Sequence, residues 1–393
     1  MHATNCLAKA ALTISLLTLP VFAFGAELTV TVVNQLPTAR SSQTLELTAA
    51  QLAPLGEKDL NKLHVFDAAG KELVAQAVEA DWNEYHKPTL LIFQSDFAPG
   101  ETKTFTVSAG KKQEYKTEDF KAYGRFVRER FDDYAWENDR IAHRTFGKAL
   151  ETWKGEPLSG SSIDIWAKRV PRLVIDEWYM TGHYHKDTGE GCDDYTSGAT
   201  RGDGGDGLWA ADRLWVSRNF VNSRTLAAGP IRVMFELEYE PFEVNGISVS
   251  EVRRISLDAG QNLDHYQVTY TPYFRPEKPV TLTAGLGLKK VKDEQLSFNP
   301  TNGTLVIWQK MEKQPGSEGV ALVTDPKLIL KQAEDKQNDL VIAKVSDKNM
   351  ADYWAGYAWD QTGQVADAAA WQKYVDDFAA GLQSPIEVSV TAK

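Results

Sequence analysis

The segment Ile231-Arg232-Val233-Met234-Phe235-Glu236-Leu237-Glu238-Tyr239 decides the fold class. Its odd-numbered positions are apolar, and its even-numbered positions are mostly charged. Because side chains alternate between the two faces of a β-strand, this pattern predicts a strand with one face in the core and one face in water. Similar segments recur at 28–33, 90–93, 104–107, 266–270, 280–288, 304–308, 320–323, 340–345 and 386–390.

Turn-forming residues separate these segments, for example Asp258-Ala259-Gly260. Many short strands with few helices predict a mainly β protein built around a large antiparallel β-sandwich. One helix is predicted over 366–382, because apolar residues recur there at steps of three and four. Its stripe should dock on a sheet through Trp371, Tyr374, Val375, Phe378 and Leu382.

The polar stretch 110–117 predicts a linker between an N-terminal β module (27–109) and a main β-sandwich domain (118–393). Residues 1–26 have the order of a secretory signal peptide: Lys9, an apolar run over 10–19, then small residues such as Ala23 and Ala26. We therefore expect a periplasmic or secreted protein whose mature chain begins near Ala26 or Glu27. Cys6 precedes the apolar run, so it is not a lipid-attachment cysteine.

Charge and cysteine content exclude several classes of protein. The net charge is −11 and the chain has no basic tail, so nucleic acid is not an expected partner. After signal cleavage Cys192 is the single cysteine, so no internal disulfide can form, and a large core must provide the stability. We expect Cys192 to be a small buried residue. No membrane anchor is expected in the mature chain.

The segment from His183 to Tyr195 contains the densest set of reactive side chains. On a strand, His183 and His185 would face the same side and, with Glu190, Asp193 or Asp194, could bind a divalent metal. Alternatively, one histidine acts as a general base. No cofactor is required by the sequence, and both alternatives stay open.

Two earlier segments supply cations and aromatic rings. Arg140 and Arg144 belong to a segment that is dense in Arg, Asp and Glu. Such a segment predicts either a network of salt bridges or a binding site for an anionic substrate. The segments 163–169 and 176–179 are predicted to be strands that deliver Trp166, Lys168, Trp178 or Tyr179 to one face. The aromatic residues there fit core packing as well as stacking on a ligand.

Several of these segments resemble the exported bacterial family known as a domain of unknown function, DUF4861. The residues that carry the resemblance are Asp132 to Ala142, Asp164 to Arg169, Tyr184-His185 with Gly189-Glu190-Gly191, Ala228 to Arg232, Arg254 to Gly260 and Ala355 to Trp359. The resemblance implies a companion of systems that degrade uronate-containing polysaccharides. It also implies the supersandwich fold of sugar mutarotases and of the non-catalytic half of several polysaccharide lyases, but no catalytic assignment.

Three hypotheses follow. The first is an enzyme acting on an acidic oligo- or polysaccharide, a lyase using β-elimination or a hydrolase of uronyl linkages. The second is a mutarotase- or epimerase-like isomerase, and the third is a carbohydrate-binding protein without activity. The density of titratable groups favours an enzyme.

For the enzyme, His185 is assigned proton transfer, because an imidazole titrates near neutral pH. Tyr184 or Tyr195 is assigned protonation of the leaving oxygen. The remaining predicted site residues are His183 and Glu190 beside them, Arg140, Arg144, Lys168 and Arg201 for the substrate carboxylate, and Trp166, Trp178 and Trp209 for stacking on sugar rings. All are expected to converge in one cleft.

Overall fold

The structure, a computed structural model, describes residues 26–80, 87–155, 157–273 and 280–393. Residues 1–25 of the predicted signal peptide lie outside the described residues. No helix within the described ranges is long and apolar enough to cross a membrane.

The secondary structure is mostly β. The first strands in chain order are β1 (Glu27–Val33), β2 (Arg40–Thr48), β3 (Leu63–Phe66), β4 (Glu72–Leu73), β5 (Ala75–Val78), β6 (Leu90–Phe97), β7 (Thr102–Ala109), β8 (Ala122–Val127), β9 (Asp133–Asn138), β10 (Ala142–Thr145), β11 (Ile163–Lys168), β12 (Gly191–Cys192) and β13 (Asp203–Ala210). They are followed by β14 (Arg213–Trp215), β15 (Asn222–Ala228), β16 (Arg232–Val244), β17 (Ile247–Asp258), β18 (Leu263–Pro272), β19 (Thr283–Lys289), β20 (Gln295–Asn299), β21 (Thr304–Lys310), β22 (Ser317–Thr324), β23 (Ile329–Glu334), β24 (Asn338–Lys344), β25 (Met350–Trp359) and β26 (Glu387–Ala392). The α-helices are α1 (Ala49–Leu52), α2 (Ile175–Thr181) and α3 (Ala368–Gln383).

The largest sheet has eight strands in the order β15-β16-β17-β18-β25-β22-β21-β20, and all of its pairs are antiparallel. The deciding segment forms β16, with Val233, Phe235, Leu237 and Tyr239 buried. These residues share one core with the sheets β12-β11-β10-β9-β8 and β14-β13-β19-β24-β23. The predicted mainly β sandwich is therefore confirmed.

The N-terminal module has its own core between the sheets β26-β1-β7-β3-β4 and β2-β6-β5. Its outer strand β26 comes from the C-terminus and pairs with β1, with Leu28 opposite Ala392 and Val33 opposite Glu387. The predicted boundary assigned 387–392 to the main domain. The pairing arises because β1, already bound to β7 on one side, offers its other edge to the last strand.

The predicted helix over 366–382 is present as α3. Asp367 begins it by accepting a hydrogen bond from the backbone N–H of Ala370 (2.9 Å). Trp371 and Val375 are buried against the eight-stranded sheet, and Tyr374 and Phe378 are half-buried. The helix is thus docked on a sheet by its apolar stripe.

The prediction of a strand over 176–179 is wrong, because these residues lie in α2. The Glu137 carboxylate accepts hydrogen bonds from the backbone N–H groups of Val174 (2.7 Å to Oε1) and Ile175 (2.8 Å to Oε1). A buried anion on these otherwise unsatisfied donors favours a helix at this point. Glu137 belongs to β9, and its part in starting the helix depends on tertiary structure that no local pattern reveals.

Candidate functional site

A buried arginine with three aspartates lies in the sheet formed by β8–β12. Arg144 on β10 stands opposite Asp164 on β11, and its Nε lies 2.7 Å from Asp164 Oδ2. Its Nη2 lies 3.1 Å from Asp193 Oδ2, and its Nη1 lies 3.7 Å from Asp133 Oδ2. All four side chains are almost completely buried. We call Arg144, Asp133, Asp164 and Asp193 the Arg144 cluster.

The aspartates of the cluster differ in proton affinity. Burial raises the pKa of Asp164 to about 7 although Arg144 favours its ionised form, and the charge of Asp193 adds to the increase. Burial also disfavours ionisation of Asp193, but Arg144 and then His185 bring its pKa below the ordinary value. Two neighbouring carboxyl groups with diverging pKa values are typical of sites that transfer protons.

Several buried polar atoms in and beside the cluster have no hydrogen-bond partner among the described residues. Among them are Arg144 Nη1, Asp164 Oδ1, Trp166 Nε1 and the Tyr179 hydroxyl. An unsatisfied buried group costs about 1–3 kcal/mol, so such atoms are uncommon in purely structural positions. The set can bond a polar ligand that reaches the cluster.

His185 connects the cluster to the surface. Gly182, at φ 64°, ends α2 and directs the chain so that Tyr184 stacks on Trp166, with ring centroids 4.7 Å apart. The side chain of His185 is 63% exposed, and its Nδ1 lies 3.5 Å from Asp193 Oδ2. Asp193 is therefore shared by Arg144 and His185, and the second ring nitrogen of His185 can face a substrate.

The backbone around Gly191 fixes the position of Asp193. Gly191 and Cys192 form β12, which pairs with Ala167 and Lys168. A Cβ atom at Gly191 would lie 2.0 Å from the Ala167 carbonyl oxygen, so a side chain cannot be accommodated. Asp193 follows and donates its backbone N–H to the Tyr184 carbonyl (2.6 Å). This loop accounts for the density of polar residues and glycines in 183–195.

A strained turn lies beside Tyr184. Phe131 and Asp132 both have left-handed backbones, with φ of 53° and 64°. Phe131 stacks on Trp153 at 4.5 Å, and the Arg130 guanidinium lies 5.0 Å from the centre of the Trp153 ring. Arg130 also interacts with Tyr184, which helps to raise the pKa of Arg130 against the effect of burial. Such strain in consecutive non-glycine residues is concentrated at functional sites.

The structure brings together part of the predicted site. His185, Tyr184, Arg144, Trp166 and Trp178 lie in one neighbourhood, with Trp178 packed against Trp166 (5.4 Å). Trp166 and Trp178 are buried, so the structure places them in the wall of the site and gives neither an exposed face for stacking on a sugar. His183 is exposed nearby, and Glu190 is held by Arg172, 2.9 Å from Nε.

Tyr195 is buried behind the cluster. Its hydroxyl has no hydrogen-bond partner among the described residues, and the Lys289 Nζ lies 4.6 Å from the centre of its ring. Burial, followed by the charges of Asp203, Glu318 and Asp164, raises its pKa well above the ordinary value. Tyr184, which contacts the ring of His185, is therefore the better placed of the two predicted proton donors.

Lys168 and Arg201 differ from the prediction that they bind substrate. Lys168 is fully buried, with its Nζ 2.7 Å from Glu137 Oε2, and it supports the carboxylate that begins α2. Arg201 is 1% exposed and donates from Nη1 to Ser161 Oγ (3.2 Å). It lies beside Arg253, in a network with Asp206 and Glu251. Both cations are bonded to buried partners, and, unlike Arg144, neither has a buried side-chain nitrogen that lacks a hydrogen-bond partner among the described residues.

Arg140 and Trp209 lie elsewhere on the molecule. Arg140 lines a cleft between the N-terminal module and α3. Trp209 is half-buried on β13, where the Lys331 Nζ lies 5.2 Å from the centre of its ring. The predicted convergence in one cleft therefore does not extend to Arg140, Arg201 and Trp209.

The described residues contain no group of three or more His, Cys, Asp and Glu side chains placed to hold a metal ion. His183 and His185 lie in the loop after α2 and not on a strand, which removes the reason to expect them on one face. Cys192 is buried, and burial raises the pKa of its thiol to about 12.

His143, beside Arg144 in sequence, points to the opposite face of β10. Its Nε2 lies 3.0 Å from Asp203 Oδ2, and its Nδ1 lies 3.0 Å from Asp264 Oδ2. Burial favours the neutral ring, but Asp264 and then Asp203 raise the pKa of His143 to about 9. The sequence does not distinguish this buried histidine from the exposed ones, because its partners are far away in the chain.

The fold and this site define a class: a β-sandwich protein with a buried cluster of one arginine and three aspartates beside an exposed histidine. The chain belongs to the family described as "Domain of unknown function (DUF4861)", whose model matches residues 32–388. It is 31% identical, over 378 residues, to "Uncharacterized protein P7" of Formosa agariphila, with 92% of this chain and 93% of that protein covered.

Two solved structures match most of this chain. The first is a protein in the glycosyl hydrolase family 38 from Enterococcus faecalis, with a TM-score of 0.50, 10% identity and 94% of this chain covered. The second is an alpha-mannosidase from Enterococcus faecalis V583, with a TM-score of 0.48, 10% identity and 93% of this chain covered. This chain spans 48% and 46% of their lengths. The first similarity concerns the β-sandwich fold.

Proposed function

We propose that the protein is an exported enzyme that acts on acidic, uronate-containing oligo- or polysaccharides at the Arg144 cluster. The observation that carries the proposal is the link from exposed His185 through Asp193 to Arg144 and Asp164. It joins an exposed imidazole, a group suited to proton transfer, to a buried guanidinium and to a carboxyl group that can donate a hydrogen bond.

The cluster offers two matching groups for a substrate carboxylate. Arg144 Nη1 and Asp164 Oδ1 both lack a hydrogen-bond partner among the described residues. With a pKa of about 7, Asp164 is partly protonated at neutral pH and can donate a hydrogen bond. Two such bonds withdraw charge from the carboxylate and acidify the adjacent C5–H of a uronate.

Cleavage by β-elimination then needs a base and an acid. His185, oriented by Asp193, removes the C5 proton, and the electron pair forms the C4–C5 double bond as the C4–O bond breaks. Tyr184 protonates the leaving oxygen, and its ring lies 4.4 Å from that of His185. The proton that His185 has gained then passes to the Tyr184 phenolate, directly or through solvent, which restores both groups. Hydrolysis is the close alternative, in which protonated Asp164 and ionised Asp193 divide the roles of acid and base.

A screen of pectate, alginate and other acidic glycans tests the proposal by two readouts, absorbance of the unsaturated uronyl product and appearance of new reducing ends. A lyase increases both readouts and a hydrolase increases only reducing ends. If NMR instead shows exchange at an anomeric or C5 position and the chain is not cleaved, the protein is an isomerase. Binding without any product would leave a carbohydrate-binding protein and overturn the enzymatic proposal.

A further inference from the structure

A cleft of about 720 Å³ lies between the N-terminal module, α3 and the neighbouring face of the eight-stranded sheet. This volume is within the range of small-molecule binding sites. None of the residues of the Arg144 cluster lines it. Its walls include Arg40, Glu46, Arg140, His265, Trp354 and Phe378.

One arginine of the cleft is neutralised by acids. Arg232 Nε lies 2.6 Å from Asp258 Oδ1, and its Nη1 lies 2.7 Å from Glu46 Oε1. The lining residue Asp377 pairs with Lys373, 2.6 Å from its Nζ. One surplus negative charge therefore remains at Arg232, and Lys373 balances Asp377.

Arg40 and Arg140 have neutral partners instead. Arg140 Nη1 donates to Asn262 Oδ1 (3.0 Å). Arg40 donates from Nε to Asn34 Oδ1 (2.9 Å), and another of its N–H groups donates to the Ser384 carbonyl. Neither guanidinium forms an ion pair with a carboxylate in the described ranges. Two half-buried, uncompensated guanidiniums at one cleft favour an anionic ligand, because guanidinium binds carboxylate in a bidentate manner.

An aromatic wall lies in the same cleft. His265 and Trp354 stack with ring centroids 4.3 Å apart and an interplanar angle of 4°. Asp352 Oδ1, 2.7 Å from His265 Nε2, fixes the imidazole. Phe378 on α3 contacts the Trp354 ring edge-on at 6.3 Å. Flat aromatic surface beside cations suits the apolar face and the carboxylate of one sugar ring.

We infer that the cleft is a second saccharide site, which binds a short uronate oligosaccharide through Arg40, Arg140 and the Trp354 wall. The identity of the sugar rests on the proposed function, but the anionic character of the ligand rests on the cleft alone. The site is assembled from the N-terminal module, the main sheet and α3, so it requires the intact chain.

Calorimetric titration of trigalacturonate into a His185→Ala background, in which the expected loss of turnover preserves the sugar, tests the inference. Arg140→Gln is expected to weaken the binding of one equivalent by about 10–100-fold, the effect of losing a charged hydrogen bond. Arg218→Gln, a surface variant outside the cleft, should leave every equivalent unchanged. Arg40→Gln is the second cleft variant, and melting temperatures show whether each variant is folded.

If folded Arg140→Gln and Arg40→Gln bind trigalacturonate as the background does, the second site is absent. If these variants lose one bound equivalent of trigalacturonate, the cleft site is supported even when no acidic glycan is turned over. The inference and the proposed function can therefore fail separately. A carboxyl-reduced trisaccharide that binds equally well would also overturn the inference, since the guanidiniums would then play no part.

Discussion

Replacing His185 with alanine is expected to lower the turnover of an acidic saccharide by about 100-fold or more, the loss typical of a general acid–base group. The side chain is 63% exposed and its nearest charged partner is Asp193, 3.5 Å away, so the fold should survive the change. Initial rates at saturating substrate, with a melting temperature for each variant, provide the measurement.

His183→Ala is the matched control for this experiment. It removes an exposed imidazole two residues away that forms no hydrogen bond or ion pair within the described part of the chain. The control should keep turnover within about twofold, since a group outside the proton path contributes little to the barrier. Equal rates for His185→Ala and wild type would remove His185 from the mechanism.

Replacing His143 with glutamine is expected to lower the free energy of unfolding by about 3–5 kcal/mol, because it leaves Asp203 and Asp264 buried without their cation. Both carboxylates lie 3.0 Å from the His143 ring and both are fully buried. Chemical denaturation at pH 7 measures the loss, because burial raises the pKa of Asp203 to about 6 and its carboxyl group must be ionised. His183→Gln, at an exposed position, should change the free energy by less than about 0.5 kcal/mol.

The raised pKa of His143 also predicts a loss of folding stability at alkaline pH. The pKa of His143 rises from its ordinary value of 6.5 to about 9 in the folded protein, so its contribution is complete below pH 6.5 and is lost as the pH rises through about 9. At 1.36 kcal/mol per pKa unit this contribution is about 3 kcal/mol. Burial also raises the pKa values of Glu251 and Glu318 from 4.5 to about 8, so these carboxyl groups add a loss of stability as the pH rises from about 4.5 to about 8. NMR titration that finds the His143 imidazole neutral at pH 7 would contradict this prediction.

The hydrophobic periodicity of the sequence was sufficient to predict those elements that bury one face of their own against a sheet. The alternation in 231–239 predicted β16, and the apolar stripe around Trp371 predicted α3, because each element buries one face against a sheet. Pattern was insufficient for α2, whose start depends on Glu137 of a distant strand. Likewise, nothing near 387–392 indicates that this strand completes the N-terminal module.

The sequence predicted which residue types lie in the candidate site, but not how those residues are arranged in space. The density of polar side chains in 183–195 predicts a site in this region, and the structure places His185, Tyr184 and Arg144 close together. Arg201 was misassigned because its partners, Arg253 and Asp206 among them, are brought to it only by the packing of two sheets. The pairing of Arg144 with Asp164 could be inferred only with the β10–β11 register.

The most direct test of the central claim compares one acidic oligosaccharide with its carboxyl-reduced counterpart, using wild-type protein and mass spectrometry of the products. The account predicts that the acidic chain is cleaved and that the neutral chain, which cannot use Arg144 and Asp164, is left intact. Fragment masses that sum to the intact chain indicate elimination, and one added water per cleavage indicates hydrolysis. Equal cleavage of both chains, or no product from any acidic glycan, would contradict the claim.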